Sequence, residues 1–595
     1  MIHGSRTRFA VGMSLSALAA AAGAADGSKD IGTLRGKVAA VRGTAGLQIR
    51  MSAFIEADAE SDAFGVLAPD GATLADPADG GAVRFPDVVM NRDTHGAPQN
   101  ETSIAVDPNN PNRVVGGAND YVTRTWSCSI GGTPCSALGD GYSGTYYSND
   151  GGTSWAALAT DPQHPGSLIP GVNRLVGGSY DAGGDPALAF DSRGRVYYAG
   201  LGFDRAAPPN TVAVNRGSFD AAGVLHWSAP TLINPTTSPA IFNDKEWIAA
   251  DHFVASPFRD RVYVSWTRFV FSPQGAYVQS PISFVHSSDG GQTFSQPQLI
   301  SGNVLYGQGS RPVVGPDGTV YVFWDGATRL AAWDSIWMVK SSDGGMTWSQ
   351  PLAVAPLADI EPLADTAFRN NSYPAAAAAA DGSLYVTWTS QIKDGATSYG
   401  VANFGYGPGT HAQAVYSRST DGGMTWSAPR AILPALDAAN RTPIGYGGVA
   451  LTPDVHRVDS VFPSVATAPD GSVYLGAYVA DVVSPWQTCA TYDPNGSIHC
   501  LQTGPYVNNA KLDYAITNLS TGNTVIATAL PINTRYNFRG GFVGDYTEMA
   551  AGGDGRVHAS WTDTNGVQTI DWWYGTNFGG LPANQQDVVT FSGKF

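Results

Sequence analysis

The chain has 595 residues and a formal net charge of -16, from 50 acidic against 34 basic side chains. That balance repels phosphate backbones and anionic headgroups, so nucleic acid is not expected as a partner. Gly 71, Pro 38 and aromatic residues at 11% against charged residues at 14% describe a turn-rich, strand-rich chain with ample apolar material, which excludes wholesale disorder.

Residues 1–25 carry Arg6 and Arg8, then an apolar run from Phe9 to Ala22, then Ala22-Gly23-Ala24-Ala25. This predicts a signal peptide cut after Ala24 or Ala25 and an exported protein, periplasmic or extracellular. A membrane anchor is the alternative, but the run is short and Ala/Gly-rich, and no later segment approaches a span, so no membrane insertion is expected. Residues 26–94 are rich in Ala, Gly and Asp, contain no repeated phrase, and read as an N-terminal extension, linker or cleaved pro-segment.

Between residues 100 and 563 one phrase recurs seven times: an apolar strand, a tight turn, and a second strand of the V-Y-V-x-W kind. It is seen in NETSIAVDPNNPNRVVGG from Asn100, GDPALAFDSRGRVYYAG from Gly184 and SRPVVGPDGTVYVFW from Ser310. The others run from Asp244 to Trp266, Ser372 to Trp388, Val461 to Tyr474 and Gly544 to Trp561, and matching anchors are Val115, Tyr197, Tyr263, Tyr321, Tyr385, Tyr474 and His558. Each phrase is two strands, and the spacing leaves room for two more, which is the blade of a propeller. A linear solenoid would need capping repeats, whereas the first and last phrases match the others, so the ring is preferred. The expected fold is all-β: one β-propeller of four-stranded blades over 95–578, seven blades with six as the alternative, and a C-terminal tail at 579–595.

The second half of the unit carries S-x-D-x-G-x-T-W, present as SNDGGTSW (Ser148 to Trp155), SSDGGQTF (Ser287 to Phe294), SSDGGMTW (Ser341 to Trp348) and STDGGMTW (Ser419 to Trp426). Trp227-Ser228-Ala229-Pro230 marks a degenerate copy. Ser and Asp side chains bond turn backbone, Gly supplies positive φ, and the aromatic plugs into the blade. In these motifs the chain resembles the Asp-box, or BNR-repeat, propellers of the sialidase-like superfamily, over roughly residues 100 to 575. The box aspartates Asp150, Asp289, Asp343 and Asp421 are read as structural, since turn chemistry accounts for them.

Export makes the cysteines interpretable: Cys128 with Cys135 and Cys489 with Cys500 are local pairs, read as two loop-stapling disulfides. His95, His252, His411 and His456 show no metal-ligand spacing, and no EF-hand loop, P-loop, dinucleotide fingerprint or G-x-S-x-G elbow is present. No metal and no cofactor are expected.

The innermost strands of a propeller run along its axis, so residues entering them converge on one mouth of the channel. Aligned on strand starts, Glu101, Asp185, Lys245, Arg311, Tyr373, Phe462 and Tyr546 share a column, with Glu246, Asp545 and Glu548 beside it. Capping a turn or bridging to the next blade is the structural alternative for each. Glycoside cleavage needs two carboxyl groups, or a carboxylate-activated Tyr, about an oxocarbenium-like centre. The column supplies Asp185 or Glu101 as acid/base and Tyr546 with Glu548 as a nucleophile pair, since residues two apart on a strand share a face. Arg311, Lys245, Glu246, Tyr373 and Asp545 are assigned to substrate. The sialidase resemblance implies an arginine cluster for a substrate carboxylate, yet no F-R-I-P-like entry is found, and Arg124, Arg369 and Arg539 fall between strands. The expected activity is a secreted, monomeric, sialidase-like glycoside hydrolase acting on carbohydrate at the mouth, with a non-catalytic glycan- or protein-binding propeller as the alternative.

Overall fold

The computed structural model describes residues 84–595 apart from 93–97, 122–127, 131–132, 136–140, 159–166, 205–208, 330–333, 359, 361–370, 394–409, 438–456, 485–488, 491–498, 501–510, 534–542, 574–575 and 585. The proposed signal peptide at 1–25 and the segment to residue 83 lie outside the described residues.

Seven antiparallel sheets succeed one another as blades of a propeller. Their inner strands are Gln99–Asp107, Ala182–Phe190, Ile241–Ala250, Tyr306–Val314, Ala375–Ala378, Val458–Thr467 and Glu548–Ala551. Each pairs with a second strand made by the V-Y-V half of the phrase, the Leu384–Lys393 strand being the longest run of pairing to its third strand. Successive inner strands touch around the ring, and the seventh touches the first, so the ring is closed. The six-bladed alternative is set aside. The strands are β-branched and aromatic and are covered on both faces by neighbouring blades, which is why their residues read as continuously buried.

Both ends of the chain make the closure, and here the expected boundaries move. The fourth strand of blade 7 is Val88–Val89, from the segment read as an extension, and its third strand is Asp587–Gly593, from the segment read as a tail. Around this seam Arg84 bonds both oxygens of Asp513, at 2.8 and 3.2 Å, Asn91 donates to Asp587 at 2.9 Å, and Lys594 donates to Asp470 at 2.8 Å. An antiparallel ring needs its last sheet completed by the first strand, otherwise an edge stays open.

The Ser-x-Asp-Gly-Gly turns join third to fourth strands. In each, the Ser hydroxyl donates to the Asp carboxylate and accepts the second Gly amide, as Ser287 does to Asp289 at 2.8 Å and from Gly291 at 2.8 Å. Hydrogen bonds from the Thr425 hydroxyl, then from its amide and from Ser419, hold Asp421 down to about 2. The terminal aromatics do not plug into their own blades: Trp155 donates to Thr590 of blade 7, Trp348 packs edge-on against Phe284 of blade 3, and Trp426 against Phe323 of blade 4. Each such turn therefore clamps the preceding blade. Arg261 and Lys340 add to the clamp, donating to the carbonyls of Gly344 and Gly422 in the next blade's turn at 2.9 and 2.8 Å.

In a four-stranded meander the chain reverses at each turn, so these turns lie at one end of the disc. The strand 2 to strand 3 connections and the starts of the inner strands lie at the other. The strands that flank residues 121–141, 394–409, 484–510 and 564–586 end and restart at that second end, and both cysteine pairs fall within these spans. The backbone register sets Cys128 opposite Cys135 and Cys489 opposite Cys500. Insertions gathered on one face of a repeat protein mark the face open to ligands.

The seam predicts a pH dependence. Burial, then the charge of Asp87, pushes Asp563 up to about 7, and burial pushes Asp87 up to about 6. Raised carboxyls stabilise the fold fully below the unfolded value near 4, and that contribution is lost as pH rises through the folded values. Tm is expected to fall from pH 4 to 8, by roughly 1–3 kcal/mol in stability, and Asp563→Asn should flatten that slope. A slope unchanged in the variant would refute the assignment.

Candidate functional site

Five inner strands share one irregularity. Two of their residues oppose a single residue of the second strand: Glu101–Thr102, Asp185–Pro186, Lys245–Glu246, Gly309–Ser310 and Phe462–Pro463. In each bulge the first residue has positive φ, 53° at Glu101, 55° at Asp185 and Lys245, 65° at Gly309 and 52° at Phe462. Tyr373 and Tyr546 hold the matching place in blades 5 and 7, just ahead of regular pairing at Ala375 and Glu548. A non-glycine residue in this region costs about 1–3 kcal/mol and persists only where the surroundings impose it, typically at functional sites. Pro186, Pro374 and Pro463 fill the second place, where a bulge leaves an amide unpaired in any case.

The bulges aim Glu101, Asp185 and Lys245 at a common point. The Lys245 ammonium lies 3.8 Å from Glu101 Oε1, 3.7 Å from Asp185 Oδ2 and 3.8 Å from Asp545 Oδ2, so no two of these oxygens are separated by more than twice that distance. It also stands 3.7 Å from the centre of the Tyr546 ring and 5.5 Å from that of Tyr373. Lys245 is 4% exposed, and its Nζ has no hydrogen-bond partner among the described residues. Burial works against the ammonium, but Glu101, then Asp185 and Asp545, outweigh it and raise its pKa. Burial, then the Asp185 charge, drives Glu246 well above the usual carboxylate range, and burial, then Glu101 and Asp185, does the same to the Tyr546 phenol.

Two asparagines outside the predicted column fix this ring. Asn119 donates to Glu101 at 2.8 Å and accepts the Asp185 amide at 2.7 Å. Asn371 donates to Asp545 Oδ1 at 3.1 Å and to its carbonyl at 2.8 Å, and accepts the Tyr373 amide at 3.1 Å. The Asp545 amide in turn donates to Glu101 Oε1 at 3.1 Å. Asn119 is buried near the end of the Asn110–Asp120 strand and Asn371 is buried ahead of Ala375–Ala378, positions that carry no motif.

Arg311 is not in the column. Gly309 takes the bulge, and Arg311 pairs regularly with Phe323 two residues deeper. There its guanidinium stacks 3.6 Å over Trp247 and donates across the axis to Glu548 at 2.7 Å. Glu548 also takes the Ser103 hydroxyl and, at 3.2 Å, the Ile104 amide. Burial, more than Arg311 can offset, raises the Glu548 carboxyl. The Tyr546 hydroxyl donates instead to the Pro186 carbonyl at 3.3 Å. Tyr546 and Glu548 therefore serve different partners, and the expected nucleophile–base contact is not formed. Arg311 and Glu548 make a floor beneath the mouth.

Between the two layers lies a cavity of about 20 Å³, lined among others by Lys245, Trp247, Arg311, Tyr373, Phe462, Asp545 and Tyr546. That is room for roughly one water molecule, not a sugar ring. Arg124, Arg369 and Arg539 lie outside the described residues, as do His95 and His456. Among the described residues no group of three His, Cys, Asp or Glu side chains is arranged to hold a metal, and no helix is long and apolar enough to cross a membrane.

No protein-family profile matches the chain, and no curated protein matches it. Among solved structures it is similar to a protein of unknown function from Dyadobacter fermentans, at 13% identity and TM-score 0.36, covering 86% of this chain and 99% of that one. It is similar to the Hadza microbial sialidase Hz136, at 13% identity and TM-score 0.35, covering 69% and 68%. An α-L-arabinofuranosidase of Fusarium graminearum gives 7% identity and TM-score 0.36, covering 68% and 92%. Likeness at this level assigns neither family nor activity.

Gly309 offers a local test of the site. A Cβ there would stand 2.4 Å from the Tyr373 ring, on a backbone with φ of 65°. Gly309→Ala should cost roughly 1–3 kcal/mol, read as a lowered Tm; a variant as stable as the parent would show that the Tyr373 wall yields freely.

Proposed function

We propose that the chain is an exported glycoside hydrolase working on a glycan held at the mouth of the channel. The observation that carries this reading is the ring of Glu101, Asp185 and Asp545 around Lys245, two of the acids being held on strained bulges. Acid–base cleavage of an acetal needs one carboxyl as proton donor and another ionised at close range. Asp185 or Glu101 acts as acid/base, and Lys245, 3.7–3.8 Å from each of the three carboxylates, positions them. With only water-sized space below, the sugar lies outside the bulge layer, at the end where the long connections leave the strands. The sialidase-like reading needs guanidinium groups for a substrate carboxylate, and Arg311 is taken by Glu548. A neutral glycan therefore suits the described ring better than a sialoside.

A second reading, binding without chemistry, draws on the aromatic wall of Trp247, Tyr373, Phe462 and Tyr546. A panel of chromogenic glycosides and sialosides, run beside a glycan array, separates the two. Hydrolysis is expected, with Asp185→Asn and Glu101→Gln reducing turnover by about 10²–10⁴ while folding normally. Asp343→Asn, at the far end, should lower Tm first and leave turnover intact. Full activity in both ring variants would remove the site, and array binding without turnover would favour the second reading.

Export carries the disulfides with it. Non-reducing peptide mapping of the secreted chain is expected to recover 128–135 and 489–500, each closing a short loop and contributing about 2–3 kcal/mol on the loop-entropy account. Linkage of 128 to 489 or 500 would refute the pairing.

A further inference from the structure

We infer that the small cavity beside Lys245 binds a water molecule between the Lys245 ammonium and the Asp545 carboxylate, and that this water is the nucleophile, with Asp545 as its base. The nucleophile assignment rests on the hydrolase reading above. The water site rests on geometry.

Lys245 carries three N–H donors and lines the cavity, yet the three carboxylate oxygens around it stand at 3.7–3.8 Å, beyond a direct hydrogen bond. An ammonium buried to this depth with no acceptor is costly. The cavity of about 20 Å³ is the size of a single water, which accepts from Lys245 and donates to Asp545 Oδ2, 3.8 Å from the ammonium. Trp247, Tyr373 and Phe462 also line it. The remaining candidate nucleophile, Tyr546, is poorly placed: its hydroxyl is bonded to the Pro186 carbonyl, its ring supports the ammonium, and its expected base, Glu548, is bonded to Arg311.

In the step, one water O–H gives its proton to Asp545 while the oxygen bonds to the anomeric carbon. The bond from that carbon to the leaving oxygen breaks, its electron pair stays on the leaving oxygen, and that oxygen takes the proton of the acid, Asp185 or Glu101. One water is consumed, and a hemiacetal and an alcohol are released. Direct attack by water, with no covalent intermediate, inverts the configuration.

The test is proton NMR of the first product formed by the full-length chain on whichever glycoside of the panel it cleaves. Inverted anomer is expected; retained anomer overturns the nucleophile assignment. Asp545→Ala should lose about 10²–10⁴ of kcat, and added azide should restore turnover with formation of an inverted glycosyl azide. Unrescued loss would reduce Asp545 to a structural group and overturn its role as base. If the parent chain cleaves nothing, the hydrolase reading itself fails and the nucleophile falls with it. The water is judged apart from activity: a high-resolution crystal structure should show density bridging Lys245 Nζ and Asp545 Oδ2, and its absence overturns the site.

Discussion

One ammonium among three carboxylates organises the middle of this molecule. Glu101, Asp185 and Asp545 come from blades 1, 2 and 7 and Lys245 from blade 3, so a single cation draws together four inner strands far apart in sequence. Three carboxyls nearly sealed from solvent, with no cation among them, would be costly. The residual cost is high even with it, since desolvation of buried charges rivals their attraction. Stability alone does not call for such an arrangement. Seven inner strands packed by Val, Ala and Tyr would form a tighter core with apolar residues in the same places. The bulges repeat the point: Glu101, Asp185, Lys245 and Phe462 are all held with left-handed backbone where glycine serves in blade 4. Strain and buried charge fall on the same residues, and function is the usual reason for that coincidence.

Stability is supplied elsewhere, at the other end of the disc and at the seam. Each Ser-x-Asp-Gly-Gly turn closes on itself through the Ser and Asp side chains, those of blades 1, 4 and 5 reach back to the preceding blade with an aromatic ring, and in blades 4 and 5 the turn also accepts a hydrogen bond from a cation of that blade. Blade-to-blade contact is thus made far from the mouth. Blade 7 has no successor in sequence and is completed by Val88–Val89 instead, while Trp155 of blade 1 reaches back to Thr590. The ring is therefore closed by both the backbone ladder and the same aromatic device that joins the other blades.

The blades were legible because turn chemistry and strand pairing are local. D-G turns and V-Y-V strands announce themselves in any register, and seven copies set the blade count. The ends were not legible, since neither Val88–Val89 nor Asp587–Gly593 carries the phrase, and their pairing joins residues about 500 apart in the chain. Within the site the column held for Glu101, Asp185, Lys245, Tyr373, Phe462 and Tyr546 and slipped by two at Arg311. The reason is a proline. Pro186 and Pro463 each come directly after the first bulge residue, Pro374 follows Tyr373 in the matching place, and Pro312 invites the same alignment for Arg311, but in blade 4 that proline sits in the regular ladder opposite Val322. On an innermost strand its missing N–H faces the axis, so the position tolerates it. The bulge itself, a two-against-one register, leaves no pattern in composition. For the same reason Tyr546 and Glu548, two apart and read as sharing a face, do not meet: regular pairing begins only at Glu548, and one side chain turns to Pro186 while the other turns to Arg311.

The floor formed by Arg311 and Glu548 bears on how the mouth can work. Their ion pair crosses from blade 4 to blade 7 beside Trp247 of blade 3, two residues beyond the bulge of blade 4. Buried as they are, Glu101, Asp185, Lys245 and Asp545 act on one another more strongly than they would in solution. The fold thus separates its two tasks along one axis, with cohesion in the turns at one end and charge, strain and access at the other.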